Sequence, residues 1–272
     1  MRSVRGWLDS HAVDKTQGSQ PPPGLTGRDG FEQHCWKLFL STQGYMRNPP
    51  RNSGTGTPGG YAWVRLRRAG SDRGRCRRAA ERLCVLTRHR LRPLDIAAVV
   101  GMSPQVMSEI RVPPDTPMSG AERRKHLTAL SAVRDDWIET YWYSVDPVQE
   151  QVGRAIKIGD ERGVWVLAGG EVAADVWRPW LMPTRGLVYA EELIDLADCN
   201  LVEVAADDAT LTLRVPSDPT IWATAAWWRR VTRGEHGDIA TVDPVVVLED
   251  LATGTAAGDG GRERLIDWIV GR

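Results

Sequence analysis

The sequence predicts an α+β protein in which an N-terminal (winged) helix-turn-helix domain precedes a small mixed α/β domain. Residues 1–134 carry 23 Lys and Arg against 10 Asp and Glu, whereas residues 135–272 carry 12 against 25. The net charge of zero therefore conceals a basic half of +13 and an acidic half of −13. Small, glycine and capping residues from Leu94 to Arg111 have the spacing of two short helices joined by a tight turn. Further along the chain, short strand-like runs alternate with helical patterns.

Residues 1–60 are expected to form a poorly ordered tail. Proline and glycine punctuate Gln20–Gly24 and Asn48–Gly60, and no apolar period persists there. We therefore place a basic helix-turn-helix domain at residues 61–134 and an acidic α/β domain at residues 135–272.

The basic domain begins with a run of arginines. Residues 61–92 contain eleven Arg, and their only acidic residues are Asp72 and Glu81. Apolar residues from Ala79 to Leu86 recur at intervals of three and four, which predicts one buried face of a helix. The arginines expected off this face, where they could contact DNA phosphates, are Arg75, Arg77, Arg78 and Arg82. A solvated helix face without such a partner is the alternative.

Two closely packed helices are predicted from Leu94 to Ile110. Ala97 is small where the second helix crosses the first, and Gly101 permits the positive φ that the turn requires. Ser103 is placed to cap the second helix, and Pro104 takes its first position, where a missing N–H has no cost. An ordinary helical hairpin is the alternative, but the basic surroundings favour a DNA-binding helix-turn-helix.

The exposed side of the second helix would contact bases in the major groove of duplex DNA. The residues assigned to DNA binding there are Ser103, Gln105, Ser108 and Arg111. No wing is obvious, because Pro113 and Pro114 interrupt helix and strand alike. The basic residues from Arg123 to His126 are the nearest candidates for a short wing.

The acidic domain is expected to alternate helices and strands. Apolar residues over Leu130–Tyr141 follow a helical period, and Asp146 before Pro147 marks the start of another helix. Strands are predicted at Val164–Ala168, Leu187–Ala190, Leu201–Val204, Leu211–Val215 and Asp238–Val242. Further helices are predicted at Glu171–Trp177, after Asp243 and Pro244, and at Arg262–Val270.

An enzymatic role is the main alternative for this domain. Gly169 and Gly170 follow a predicted strand, like the turn that seats a nucleoside triphosphate in nucleotidyltransferases. That chemistry also needs two carboxylates on a neighbouring strand to hold Mg²⁺, but Leu187–Ala190 carries none. Glu191 and Glu192 follow, and adjacent strand residues point to opposite faces. We expect no catalytic residue, metal site or cofactor; the alternative is a nucleotidyltransferase-fold enzyme with an appended nucleic-acid-binding arm.

Composition argues against several other classes. No apolar run approaches the about 18 residues of a membrane span, and no apolar stretch of a secretory signal follows the first charges. The four cysteines lack metal-binding spacing, so reduced thiols and a cytoplasmic location are expected. An RNA-binding module is disfavoured, because aromatic residues do not interleave with the basic run.

The order of short motifs resembles the AbiEi-type antitoxin and transcriptional-regulator group of type IV toxin–antitoxin systems and its actinobacterial relatives. The matching segments are Ala168–Ala174, Met182–Arg185, Val215–Pro219 and Val242–Leu251. The resemblance implies an N-terminal winged helix-turn-helix domain that binds its own operator and represses transcription. It also implies a C-terminal domain that counteracts a nucleotidyltransferase toxin. The chain departs from the group in its proline-broken wing and its long N-terminal tail.

Overall fold

The computed structural model describes residues 72–89, 91–101, 103–109, 118–132, 136–179, 182–232, 239–253 and 260–272. The chain divides into two compact units, Met1–Thr55 and Gly56–Arg272, and every described residue belongs to the second unit. The tail expected over residues 1–60 lies outside the described residues.

Within the described residues, four helices precede the first strand. They are α1 (Asp72–Val85), α2 (Pro93–Val100), α3 (Pro104–Glu109) and α4 (Gly120–Leu130). Helix α1 buries Ala79 and Leu83 on one side, as the apolar spacing predicts. Helix α4 begins with a capping box: the Ser119 hydroxyl accepts from the N–H of Glu122 at 3.3 Å, and the Glu122 carboxylate accepts from the N–H of Ser119 at 2.8 Å.

One mixed sheet follows. Its strands are β1 (Trp137–Tyr143), β2 (Val166–Ala168), β3 (Gly186–Ala190), β4 (Val202–Glu203) and β5 (Leu211–Pro216), in the spatial order β2-β3-β5-β1-β4. Strands β3 and β5 are parallel, and the other neighbouring pairs are antiparallel. The strands predicted at Val164–Ala168, Leu187–Ala190, Leu201–Val204 and Leu211–Val215 are confirmed, with small shifts at their ends.

In the part of the acidic half that the structure describes, five helices accompany the sheet. They are α5 (Val148–Arg162), α6 (Gly170–Trp177), α7 (Thr220–Val231), α8 (Pro244–Thr253) and α9 (Gly261–Gly271). Helices α5 and α6 pack on β3, and α8 packs between α6 and α9. The carboxylate of Asp243 accepts hydrogen bonds from the N–H groups of Val245 at 3.0 Å and Val246 at 3.4 Å, which caps α8 where the sequence predicts its start.

The basic helices and the acidic half share one hydrophobic core. Helices α1 and α2 pack against α7, and α4 packs against α9. Buried residues of all these helices belong to a single cluster that continues into the sheet. A fragment that contained only the basic helices would therefore lose this packing.

Three secondary-structure elements differ from what the sequence predicts. The helix expected over Leu130–Tyr141 is wrong beyond Leu130, because Trp137–Tyr143 forms β1. Its aromatic and β-branched residues favour a strand, and the helical spacing there is coincidental. Helix α7 was not predicted, and its composition is a poor helix signal because it is rich in Trp and Thr. The strand expected at Asp238–Val242 is reduced to one bridge between Thr241 and Ala168 in the described part.

No helix in the described ranges is long and apolar enough to cross a membrane.

Candidate functional site

Helices α2 and α3 are joined by three residues. Helix α2 begins with Pro93 and is followed by Gly101, whose φ of 72° lies in the left-handed region that glycine adopts without strain. The N–H of Gly101 donates to the carbonyl of Ala97. The carbonyl of Ser103 accepts from the N–H of Met107 at 3.1 Å, so α3 begins directly after the turn. Met107 is 1% exposed and holds the inner side of α3 against the core.

The outer side of α3 carries most of the residues assigned to base contact. Ser103, Gln105 and Ser108 are all exposed. The Ser108 hydroxyl donates to the Gln105 carbonyl at 2.6 Å within the helix. The Gln105 side chain offers both a donor and an acceptor, the combination that can pair with the adenine edge in the major groove. Arg111 lies outside the described residues, as do the two prolines that follow it, so the wing stays a prediction.

An ion pair that the sequence did not reveal links α3 to the start of α1. Nη2 of Arg73 lies 3.0 Å from Oε2 of Glu109. Both side chains are well exposed, so the pair contributes little to stability. Its importance is spatial, because it places Arg73, at the start of α1, beside the end of α3. No periodicity or motif relates these two residues, and only the fold brings them together.

The four arginines assigned to phosphate contact occupy different environments. Arg77 is exposed, and its Nε donates to Oε1 of Glu81 at 2.8 Å. Arg75 and Arg78 are half-buried. Arg82 is only 3% exposed, so its expected position off the buried face of α1 is wrong. An arginine can occupy an inner position when internal acceptors compensate its charge.

Arg82 has such acceptors at the starts of α7 and α8. Its Nη2 donates to Oγ1 of Thr220 at 3.0 Å and lies 3.7 Å from Oδ2 of Asp218. Its Nε lies 3.7 Å from Oδ2 of Asp243. The two carboxylates are almost fully buried and also accept hydrogen bonds from Thr220 at 2.8 Å and Thr224 at 2.6 Å. This network ties α1 to the acidic half through a buried cation.

The basic segment considered as a wing is part of α4, so that expectation is wrong for Arg123–His126. Arg123 is 2% exposed and donates to the carbonyls of Val85 at 3.1 Å, Ile269 at 3.0 Å and Val270 at 3.3 Å. These carbonyls lie at the C-terminal ends of α1 and α9, where the helix dipole attracts a cation. Arg123 therefore joins two helix ends rather than facing a ligand.

Two neighbouring arginines make further contacts with α9. Arg88 donates to the carbonyl of Val270 at 3.2 Å. Arg124 pairs with Glu263 at 3.1 Å and with Asp267. Arginines of the basic half are therefore bonded to acceptors of the acidic half, in addition to the charges that each half exposes to solvent. The basic-half residues bound to acceptors of the acidic half are Arg82, Arg88, Arg123 and Arg124.

The Gly-Gly turn between β2 and α6 is closed by internal hydrogen bonds. The N–H of Gly169 donates to the carbonyl of Leu187 at 2.9 Å, and the N–H of Gly170 donates to Oδ2 of Asp250 at 3.0 Å. A Cβ at Gly169 would lie 2.6 Å from the Tyr189 ring and 3.0 Å from the Asp250 carboxylate. Phosphate-binding turns direct such N–H groups at the ligand, whereas both are occupied here.

A charged cluster lies beneath this turn. Oδ1 of Asp250 accepts from the Tyr189 hydroxyl at 2.6 Å and from Nη1 of Arg214 at 2.8 Å. Arg214 also pairs with Glu139 at 2.8 Å, and its guanidinium lies 3.8 Å from the centre of the Trp137 ring. Burial raises the pKa of the Asp250 carboxyl, although the Arg214 charge opposes the shift. The sequence did not predict this cluster, because its members come from four separate elements and form no motif.

The residues considered for metal binding do not come together. Strand β3 carries no carboxylate, and both Glu191 and Glu192 are exposed beyond its end. Across the described ranges, no group of three or more His, Cys, Asp or Glu side chains could hold a metal ion.

The cysteines in the described part of the chain, Cys76, Cys84 and Cys199, form no disulfide. Burial, followed by the charge of Glu81, raises the pKa of Cys84 to about 11. This thiol is therefore a poor nucleophile at neutral pH.

Comparison with known proteins gave no match to a family model, to a curated protein or to a solved structure.

Proposed function

We propose that the protein is a transcription regulator that binds duplex DNA through the outer side of α3. The observation that carries the proposal is the arrangement of this short helix. Met107 anchors it to the core, while Ser103, Gln105 and Ser108 are exposed beside it. Helix-turn-helix proteins present the start of their second helix to the major groove in this way.

The charge distribution around α3 supports the same proposal. The pair formed by Arg73 and Glu109 places the start of α1 beside α3, and α1 also carries Arg75 and Arg77 near this end. Phosphate contacts by such residues release counterions from DNA, so affinity falls steeply as salt rises. The carboxylates of the acidic half repel phosphates, which favours an approach of DNA from the side of α1 and α3.

The experiment is a titration of the full-length protein with a library of duplex DNA at two salt concentrations, followed by sequencing of the bound fraction. We expect binding that weakens as salt rises and enrichment of one sequence. Failure to bind any duplex at low salt, or binding that does not depend on salt, contradicts the proposal.

For the acidic half we propose a protein-binding role without catalysis, in a cytoplasmic regulator. The resemblance to AbiEi-type antitoxins suggests a nucleotidyltransferase toxin as the partner. The N–H groups of Gly169 and Gly170 already donate to acceptors within the protein, which favours the protein-binding role over the enzyme alternative. A neighbouring gene for a nucleotidyltransferase-like protein would favour the antitoxin role. Mg²⁺-dependent transfer from a nucleoside triphosphate by the purified protein would instead favour the enzyme.

A further inference from the structure

Glu109 is the last residue of α3, and it lies on the same side of this helix as Gln105. The two residues are four positions apart, which places them one above the other on a helix surface. Both side chains are exposed, whereas Met107 between them is buried on the inner side. If the outer side of α3 faces the major groove, as the proposed function requires, Glu109 enters the groove together with Gln105.

The charge of Glu109 is compensated by an arginine from another helix. Nη2 of Arg73, at the start of α1, lies 3.0 Å from Oε2 of Glu109. A lone carboxylate would be repelled by the phosphates on both sides of the groove, and the guanidinium offsets this repulsion. A guanidinium carries five N–H donors, so an arginine that holds a carboxylate can also donate to a phosphate oxygen. The pair is therefore compatible with a position at the DNA surface.

A carboxylate in the major groove selects one base by its hydrogen-bonding capacity. An ionised carboxylate accepts hydrogen bonds and donates none. Guanine and thymine present acceptor oxygens in this groove, and adenine presents its N7 acceptor beside its amino group. Cytosine presents only its amino donor, which is the partner that a carboxylate needs. The side chain of Glu109 therefore suits cytosine best.

We propose that Glu109 makes the protein select duplex DNA with a cytosine near the base contacted by Gln105, and that Arg73 is the positioning residue for this carboxylate. Four helical residues span about 6 Å, and successive base pairs are about 3.4 Å apart. The cytosine therefore lies one or two base pairs from the base that Gln105 contacts. This inference rests on the proposed function and adds the base preference at one position of the DNA site.

The test is selection from a library of random duplex DNA by the full-length protein, run in parallel for the wild type, Glu109→Gln and Glu109→Ala. We expect the wild type to enrich cytosine at one position. Glutamine has a donor as well as an acceptor and pairs with adenine, so Glu109→Gln should change the preferred base there to adenine. Glu109→Ala should lose the preference at this position alone and bind the wild-type sequence about 5- to 150-fold more weakly.

Gln105→Ala locates the second position of the site. Its lost preference should fall within two base pairs of the position that changes in the Glu109 variants, because the two residues are one helical turn apart. A larger separation overturns the placement of Glu109 beside Gln105 in the groove.

The role of Arg73 is tested by base discrimination as well as by affinity. Arg73→Ala should reduce the preference for cytosine at the Glu109 position and weaken binding to every duplex, because a positive charge is lost. In a chain that already carries Glu109→Ala, the same substitution should leave every base preference unchanged, since the carboxylate that it positions is absent. Fluorescence anisotropy with duplexes that differ only at this base pair measures the ratios. A preference that still changes without the carboxylate overturns the positioning role.

Glu161→Gln is the matched control. Glu161 is an exposed carboxylate on α5, and one of its oxygens lies 3.8 Å from Nζ of Lys157. The control removes the same charge from an ion pair in the acidic half, so it should leave the selected sequence unchanged. Thermal unfolding of each variant checks that it remains folded.

The outcomes separate this inference from the proposed function. A wild-type protein that enriches no sequence overturns both. Enrichment of one sequence by the wild type and of the same sequence by Glu109→Gln overturns the inference and leaves the proposed function in place. A preferred base other than cytosine in the wild type, or an equal change of sequence in Glu161→Gln, also overturns the inference.

Discussion

Arg82 in α1 and Thr220 in α7 are joined by a hydrogen bond of 3.0 Å, and both side chains are buried. The two residues come from the basic and the acidic half of the chain. Together with the carboxylates of Asp218 and Asp243, this contact places a cation of the basic half beside two anions of the acidic half in the protein interior. The charge division along the sequence therefore contributes to the fold as well as to the surface.

Replacing Arg82 by alanine should strongly destabilise the protein. The substitution leaves two buried carboxylates without their cation, and breaking a buried charge pair in this way typically costs about 3–5 kcal/mol. Urea unfolding of the full-length protein measures the loss. Arg77→Ala is the matched control on the same helix, and we expect a change within about 0.5 kcal/mol because its pair with Glu81 is solvent-exposed. Equal losses in the two variants would show that the buried network does not hold α1 in place.

The Gly-Gly turn should not tolerate a side chain at its first position. In Gly169→Ala the new Cβ would be only 2.6 Å from the ring of Tyr189. That ring cannot retreat easily, because its hydroxyl is bonded to Asp250 and Arg214. We expect a loss of about 1–3 kcal/mol in the free energy of unfolding.

Gly153→Ala provides the control for this substitution. Gly153 lies in α5, and a Cβ there would meet no atom within 4 Å. Alanine favours a helix over glycine by about 0.8–1 kcal/mol, so this variant should be more stable than the wild type. Thermal unfolding that shifts in the same direction for both variants would contradict the packing described for the turn.

Asp250 should give the protein an unusual pH dependence. Burial raises its pKa above the ordinary value of 3.8, so the folded protein holds this proton to a higher pH than the unfolded chain does. The contribution of Asp250 to stability therefore falls as the pH rises from 3.8 through the folded-state pKa. We expect the stability difference between wild type and Asp250→Asn to change in that direction when urea unfolding is repeated at increasing pH.

The pKa of Asp146 is shifted in the opposite direction, so this residue serves as the comparison for Asp250. Hydrogen bonds from Arg154 and Ser144 lower the pKa of its carboxyl below 3.8. Its contribution to stability is complete above 3.8 and is lost as the pH falls further. The difference between wild type and Asp146→Asn should therefore stay constant over the pH range in which the Asp250 comparison changes. A constant difference for Asp250 as well would show that its folded-state pKa is not raised.

The sequence predicted elements whose local signals agree with their packing. The start of α8 at Asp243 and Pro244 and the turn at Gly101 after α2 follow from capping and turn rules, and strand β5 follows from its β-branched, roughly alternating sequence. Strand β1 was not predicted, because its apolar residues also fit a helical period. The choice between helix and strand is made by its pairing with β5. That pairing joins residues far apart in the chain, so the aromatic and β-branched composition of β1 alone could not decide between a helix and a strand.

The candidate site shows the same limit. The spacing around Gly101 was sufficient to place Gln105 and Ser108 on the outer side of α3. The sequence could not distinguish Arg82 from Arg77, because both lie in the same basic run. Only the fold places Thr220 and Asp243 beside Arg82 and leaves Arg77 exposed to solvent.

Gln105 and Arg77 should differ in how they contribute to DNA binding. We expect Gln105→Ala to weaken binding to the selected sequence by about 1–3 kcal/mol, or about 5- to 150-fold, with little change on random duplex. The reason is that a base contact exists only on the correct sequence. Arg77→Ala should weaken binding to both DNAs alike and reduce the slope of affinity against salt by about 1, because a phosphate contact does not depend on sequence. Fluorescence anisotropy with the two duplexes at several salt concentrations measures both effects.

Lys157→Ala is the control for this comparison. Lys157 is an exposed cation on α5 in the acidic half, and its side chain lies 3.8 Å from Glu161. Its removal lowers the net charge by the same amount as Arg77→Ala, but it should leave affinity and salt dependence unchanged if DNA approaches α1 and α3. A matching loss for Lys157→Ala would mean that the overall charge governs binding. An equal loss of affinity for both duplexes in Gln105→Ala would show that α3 does not contact bases in the major groove, since a residue that reads bases must discriminate between sequences.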